Sequence, residues 1–167
     1  MALKKNIKSV AKKSSKEKTS SKKRRIIYES PKIKGYYYII FFLILLLVDR
    51  VTKSWAMTLT DSIDKGFFQF NFVVNTGAGF SIFQNFNSML IWISIIILGL
   101  LIFFNNYLPK ISFTLILAGL MGNLIDRVFY GGVIDFIDLR FWPIFNFADT
   151  IIVIGVTYSI IILLAKK

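Results

Sequence analysis

The sequence predicts an all-α membrane protein, with four transmembrane helices and a short strand on the outer side of the bundle. Three observations lead there. The chain has 167 residues and is 55% hydrophobic, with no Cys and no His. Four apolar segments each reach the roughly 20 residues that a bilayer-spanning helix needs, and they lack the polar stripe of period 3.6 that marks a helix on the surface of a soluble protein. Finally, the net charge of +12 is concentrated at one end. Residues 1–34 hold thirteen Lys/Arg against Glu17 and Glu29, while the remaining 133 residues hold eight basic and seven acidic groups.

In chain order, the basic 1–34 arm is Lys/Ser-rich and predicted to be a disordered cytoplasmic tail, followed by a membrane domain over 35–167. Its first helix begins in "YYYIIFFLILLLV" (36–48) and continues through "DRVTKSWAMTL" to about residue 59. No small-residue cleavage site follows, so the segment reads as a retained helix rather than a signal peptide. The second helix is "SMLIWISIIILGLLIFF" (88–104), the third "ISFTLILAGLMGNLIDRVFY" (111–130), and the fourth covers 147–165. The basic arm, Lys110 and Lys166–Lys167 fall on one side of four alternating helices, and these are sixteen of the 21 basic residues. By the positive-inside rule that side is cytoplasmic, with both termini inside and the loops at about 60–87 and 131–146 outside. In the first outer loop, "GFFQFNFVV" alternates Phe68, Phe70 and Phe72 with Gln69 and Asn71, which is the period of a strand with one aromatic face. The second outer loop opens on Gly131–Gly132 and carries the interfacial cluster "FWPIFN".

The polar residues of this apolar body collect at its outer end. Asp49, Arg50 and Lys53 stand late in helix one, and Asn75 closes the strand. Asn123, Asp126 and Arg127 stand late in helix three, Asp135 and Asp138 lie in the second outer loop, and Asn146 and Asp149 start helix four. The i,i+4 spacing of Asp49 and Lys53 suits an ion pair on one helix face. Asn123, Asp126 and Arg127 share a face and suit either a buried lock between helices or a binding surface. Asn146 and Asp149 suit a helix cap. Without Cys or His, thiol nucleophiles, Ser–His triads and the usual zinc ligands are excluded. Two carboxylates sharing one proton are then the natural hydrolytic device. On spacing alone, Asp135, Asp138 and Asp126 are all eligible partners for Asp149.

The motifs "DRVTK" (49–53), "NTGAGFSIF" (75–83), "GNLIDR" (122–127), "VIDF" (133–136) and "FNFAD" (145–149) resemble, in order and setting, those of lipoprotein signal peptidase (signal peptidase II), an aspartic membrane protease family of bacteria. The resemblance spans roughly residues 36–165. It implies removal of the signal peptide from diacylglyceryl-modified prolipoproteins by cleavage before the lipidated cysteine. It implies Asp135 and Asp149 as the catalytic pair, and Asn75, Asn123, Arg127 and Asn146 as substrate-binding positions. Asp49, Lys53, Asp126 and Gly77 are implied as structural support, with Asp126 serving Arg127 and Asn123. The strand region 66–83 resembles the family's extracytoplasmic β-cradle. The family implies no metal or cofactor, a multi-pass enzyme of the bacterial inner membrane working beside membrane lipid, and sensitivity to the cyclic peptide globomycin. A monomer with no nucleic-acid partner is expected. The span between Asp135 and Asp149 is short for the family, which trims the second outer loop. Rhomboid-type, zinc site-2 and GxGD proteases do not fit, for want of Ser–His pairs, HExxH and an acid in "GAGF". A transporter would spread its polar groups through the bilayer depth, and a non-catalytic four-helix anchor for the basic arm would need no cluster of acids.

Overall fold

The structure is a computed structural model describing residues 34–77 and 86–165. The basic arm up to Ile33, the "AGFSIF" part of the motif after Gly77, and Lys166–Lys167 lie outside the described residues. Among the described residues there are four long helices, α1 (Gly35–Ala56), α2 (Asn87–Phe103), α3 (Lys110–Tyr130) and α4 (Phe147–Leu164). The strands are β1 (Ile63–Asp64), β2 (Gln69–Asn75) and β3 (Val133–Asp138). Helices α3 and α4 are long and apolar enough to cross a membrane, while α2 is a shorter apolar helix. At 1.5 Å per residue, its 17 residues reach about 25 Å.

The bundle exposes many large apolar side chains and buries several polar ones. Leu43, Leu47, Ile96, Phe103, Val153 and Leu164 are all more than half exposed, whereas Ser112, Thr114, Asn123 and Asp126 are buried. Such a surface suits hydrocarbon surroundings, because lipid tails solvate Leu and Ile as well as a protein core does. Small residues then decide how closely helices approach. A Cβ on Gly119 of α3 would lie 2.6 Å from the Ala148 carbonyl oxygen of α4, and one on Gly155 of α4 would lie 3.0 Å from Leu115 Cβ. A small cluster of Leu45, Leu115, Ala118 and Ile151 joins α1, α3 and α4, with Phe42 and Phe147 against it.

Toward the outer end, α1 and α3 are joined by four buried or half-buried charges. The ammonium of Lys53, 1% exposed, donates to Asn123 Oδ1 at 2.9 Å and lies within ion-pair distance of two carboxylates, 2.6 Å from Asp126 Oδ2 and 3.1 Å from Asp49 Oδ1. Arg50 closes the other side, 2.5 Å from Asp49 Oδ2 and 2.7 Å from Asp126 Oδ1, and it also donates to the Gly122 carbonyl at 2.8 Å. A Cβ on Gly122 would lie 2.6 Å from Asp49 Oδ2, so only glycine leaves room for the cluster. The i,i+4 pair Asp49–Lys53 is thus present. Asp126, however, pairs with Lys53 and Arg50 of α1 and not with its neighbour Arg127. Consecutive helical residues point about 100° apart, so an adjacent Asp and Arg face different neighbours. Arg50 was not assigned a role by the sequence, and it is the residue that balances the second acid.

The strands form one antiparallel sheet in the order β1-β2-β3. From Phe70 opposite Ile137 to Val73 opposite Asp135, β2 advances three residues and β3 two, so β2 carries a bulge. The bulge breaks the alternation expected for Phe68, Phe70 and Phe72. Phe68 precedes β2, Phe70 packs beside Ala56, Ile134 and Phe136, and Phe72 is turned outward, 39% exposed. The second outer loop contains β3. Its start is set by Gly131, which ends α3 in the left-handed conformation at φ 73°. Gly132 follows, where a Cβ would lie 2.8 Å from the Asn75 carbonyl oxygen of β2. Alternation along β3 sends Ile134 and Phe136 toward the end of α1 and Asp135 to the opposite face.

Two outcomes follow for thermal unfolding in detergent. Asp126→Asn leaves Lys53 and Arg50 short of a counter-charge and should cost about 3–5 kcal/mol, the usual effect of removing one partner from a buried ion pair. Gly119→Val should lower the melting temperature by forcing α3 from α4, whereas Gly99→Ala, with nothing within 4 Å of its Cβ, should leave it unchanged or slightly raised.

Candidate functional site: two carboxylates held by asparagines

Asp135 and Asp149 face one cavity of about 210 Å³, together with Asn75, Gly77, Asn123 and Arg127. The segment Trp142–Phe145 forms its remaining wall. Four elements deliver these groups: β2 supplies Asn75 at its last position, α3 supplies Asn123 and Arg127, β3 supplies Asp135, and α4 supplies Asp149 in its first turn. The other two acids eligible on spacing are engaged elsewhere. Asp126 belongs to the charge cluster, and Asp138 accepts from Gln69 Nε2 at 2.8 Å and Asn71 Nδ2 at 3.3 Å.

Neither Asp135 nor Asp149 has an ion-pair partner among the described residues. Both are held by amides. Asp135 Oδ2 accepts from Asn75 Nδ2 at 2.8 Å, and its Oδ1 accepts from Asn146 Nδ2 at 2.7 Å. Asp149 Oδ1 accepts from Asn123 Nδ2 at 2.8 Å, and its Oδ2 from the Asn146 backbone N–H at 3.2 Å.

The orientation of each asparagine is fixed by a group that can only donate. The Lys53 ammonium requires the oxygen of Asn123, so the Asn123 amide nitrogen turns to Asp149. The Asp149 backbone N–H takes Asn146 Oδ1 at 3.0 Å, so the Asn146 nitrogen turns to Asp135. Asn146 and Asp149 form a reciprocal capping box, as their i,i+3 spacing suggests. The Gly77 N–H takes Asn75 Oδ1 at 3.0 Å, so the Asn75 nitrogen turns to Asp135. Asn146 Nδ2 also reaches Asn123 Oδ1 at 3.2 Å, which links the supports of the two acids.

Burial raises the pKa of Asp135 to about 7, and the neighbouring Asp149 carboxylate adds to the rise. The Asn75 and Asn146 hydrogen bonds and the more distant Lys53 charge oppose it. Neutral donors thus locate the carboxyl without imposing the strong stabilisation of its charge that a directly paired cation would.

Arg127 lines the same cavity, and its Nε is buried with no hydrogen-bond partner among the described residues. Its backbone carbonyl accepts from Asn87 Nδ2 of α2 at 2.9 Å. A second, more apolar groove of about 330 Å³ shares Trp142, Phe145 and Asp149 with the first and runs along α4 past Thr150, Val153 and Ile154. Beside it, Phe141 and Trp142 are 83% and 57% exposed. The sequence did not signal this groove, because its wall is a loop folded against a helix.

Comparison with known proteins agrees with this architecture. A family profile described as Signal peptidase (SPase) II matches residues 41–165. A lipoprotein signal peptidase of Clostridium novyi (strain NT) is 37% identical over 136 residues, covering 72% of this chain and 92% of that protein. One from Clostridium tetani (strain Massachusetts / E88) is 39% identical over 137 residues, covering 72% and 87%. A solved bacterial membrane enzyme superposes with a TM-score of 0.72 at 32% identity, covering 83% of this chain and 93% of that one. Another gives 0.70 at 33% identity, covering 84% and 100%. Together, the ordered motifs, the match over most of the chain and the shared fold establish that this chain belongs to the signal peptidase II family, the lipoprotein signal peptidases.

Proposed function

We propose that the chain is an aspartic endopeptidase that removes the signal peptide from diacylglyceryl-modified prolipoproteins, cutting before the lipidated cysteine, with Asp135 and Asp149 as its catalytic pair. The observation that carries the reading is a pair of carboxylates, Asp135 buried and Asp149 half-buried, with no ion-pair partner among the described residues and held by asparagines, on one cavity. Four helices crossing the bacterial inner membrane as a monomer, with both termini cytoplasmic, would put this cavity at the outer face. The apolar groove along α4 would then take the lipid part of the substrate while its peptide enters the polar cavity.

In this mechanism Asp135 holds the shared proton, in keeping with its raised pKa. Asp149 carries the charge, supported by the N-terminal end of α4 and the Asn146 N–H. Water adds to the scissile carbonyl carbon and gives a proton to Asp149, while Asp135 protonates the carbonyl oxygen. Asp149 then passes its proton to the leaving nitrogen as the C–N bond breaks, and Asp135 recovers a proton from a hydroxyl of the tetrahedral carbon. In this reading Arg127, Asn75 and Asn123 hold the extended peptide. Asp49, Lys53, Asp126 and Gly77 act one step behind, through the bonds that orient Asn123 and Asn75. Globomycin would compete for the same cavity.

Asp135→Asn and Asp149→Asn should each lower cleavage of a diacylglyceryl prolipoprotein by about 10²–10⁴-fold or more while leaving folded protein in the membrane; gel-shift cleavage with a melting curve tests this, and substantial turnover in either variant refutes the pair. Cleavage should also decline as pH rises through about 7, where Asp135 loses its proton. Stability has the same sign: the folded state holds the Asp135 proton more tightly than the unfolded chain, with its ordinary pKa of about 4. This contribution is therefore present at low pH and lost as pH rises from about 4 through about 7. Asp135→Asn should flatten that loss in melts taken across the range.

A further inference from the structure

A cavity away from the carboxylates lies at the opposite end of the bundle, between α1 and α3. It measures about 400 Å³. Its α1 wall runs from Gly35 through Tyr38 to Phe42, and its α3 wall from Lys110 through Phe113 to Leu117. Both helices advance by seven residues from the same end, about 10 Å into the bundle at 1.5 Å per residue. Polarity changes along that path. Lys110 and Tyr38 stand at the mouth, and Phe42 and Leu117 stand deepest.

The mouth has unused polar capacity. The Tyr38 hydroxyl is buried and has no hydrogen-bond partner among the described residues. The Lys110 ammonium touches only a neutral group, Asn105 Oδ1 at 3.3 Å, and has no acid within ion-pair distance among the described residues. The amino end of α3 adds to the positive field, since it has no side-chain cap and no acid in its first turn. From Lys65 to Ile125 the sequence contains no Asp or Glu. At Gly35 a Cβ would meet nothing within 4 Å among the described residues.

We infer that this cavity binds one anionic phospholipid of the leaflet opposite the carboxylate pair, the cytoplasmic leaflet in the proposed orientation. The phosphate sits between Lys110 and the Tyr38 hydroxyl, and an acyl chain runs inward past Phe42, Phe113 and Leu117. A buried hydroxyl and an unpaired ammonium together offer two donors to a phosphate, and the order of polar mouth and apolar depth is that of a lipid in that leaflet. A soluble phosphate would leave the apolar half of the cavity unfilled.

The test uses the full chain purified in detergent and mixed with phosphatidylglycerol or phosphatidylcholine. Retained lipid is counted by native mass spectrometry after washing at high salt, which strips lipid held only by exposed charges such as the basic arm. Retention of one phosphatidylglycerol in preference to phosphatidylcholine is expected. Lys110→Gln and Tyr38→Phe should each weaken it by about tenfold, the scale of one charge-assisted hydrogen bond. Lys110→Arg should restore it, and Leu117→Trp should block the apolar half. Equal retention of the two lipids overturns the inference, as does full retention by Tyr38→Phe and Lys110→Gln. A thermal shift from glycerol 3-phosphate as large as that from phosphatidylglycerol also overturns it, since the occupant would then be a soluble phosphate. Cleavage by the Tyr38→Phe variant reports separately on the carboxylate pair, so failure of the lipid site and failure of the protease reading are distinguishable.

Discussion

The structure depends on keeping a lysine charged and buried. Lys53 is almost fully enclosed, and leaving its ammonium unpaired in a low-dielectric interior would cost several kcal/mol. Asp49 on its own helix and Asp126 on α3 meet that requirement, and Arg50 restores neutrality by touching both acids. The cluster therefore fixes the rotation of α1 against α3. Asp126 also accepts from the Ile134 N–H at 3.2 Å, so the same cluster fixes where β3 begins and hence where Asp135 stands. The Lys53 ammonium also donates to Asn123, which makes the charge cluster the origin of the hydrogen-bond order in the cavity.

From Asn123 outward, the order passes through amides. An asparagine has one accepting and one donating end, so fixing one end aims the other. Three such residues convert backbone and ammonium donors into amide donors pointed at carboxylates. This transmits position without transmitting charge. Had Lys53 reached Asp149 directly, its full charge would hold that acid ionised and resist the exchange of a proton between the two carboxyls.

Much of this was legible in the chain. The four helices appear within a few residues of their expected ends, because uninterrupted apolar runs leave little ambiguity about where a hydrocarbon-facing helix lies. The collection of Asp49, Lys53, Asn123, Asp126, Asn146 and Asp149 toward one end was legible too, since alternating helices carry late residues of one and early residues of the next to the same level. The strand β3 was not. "VIDFID" has aspartate every third residue, so its pattern does not alternate, and it becomes a strand by pairing with β2. The bulge in β2 was hidden for the same reason: register belongs to the pair of strands. The partners of Asp126 also needed the fold, because a buried acid is satisfied by whichever cations the packing brings, here Lys53 and Arg50 from 73 and 76 residues earlier. Choosing Asp135 over its rivals from sequence rested on the family resemblance.

The loop that walls the carboxylate cavity is anchored on its far side. Arg140, in the left-handed conformation at φ 65°, meets Asp64 of β1 at 2.5 Å, and both side chains are about half exposed. Two residues later the same loop supplies Trp142 to the cavity. One end of this short segment thus answers to the aqueous medium and the other to the enclosed chamber. Ions in the surrounding fluid weaken an exposed pair of this kind while leaving the enclosed amides and acids nearly untouched. Ionic strength therefore bears on the anchorage of this loop far more than on the amides and acids that it encloses.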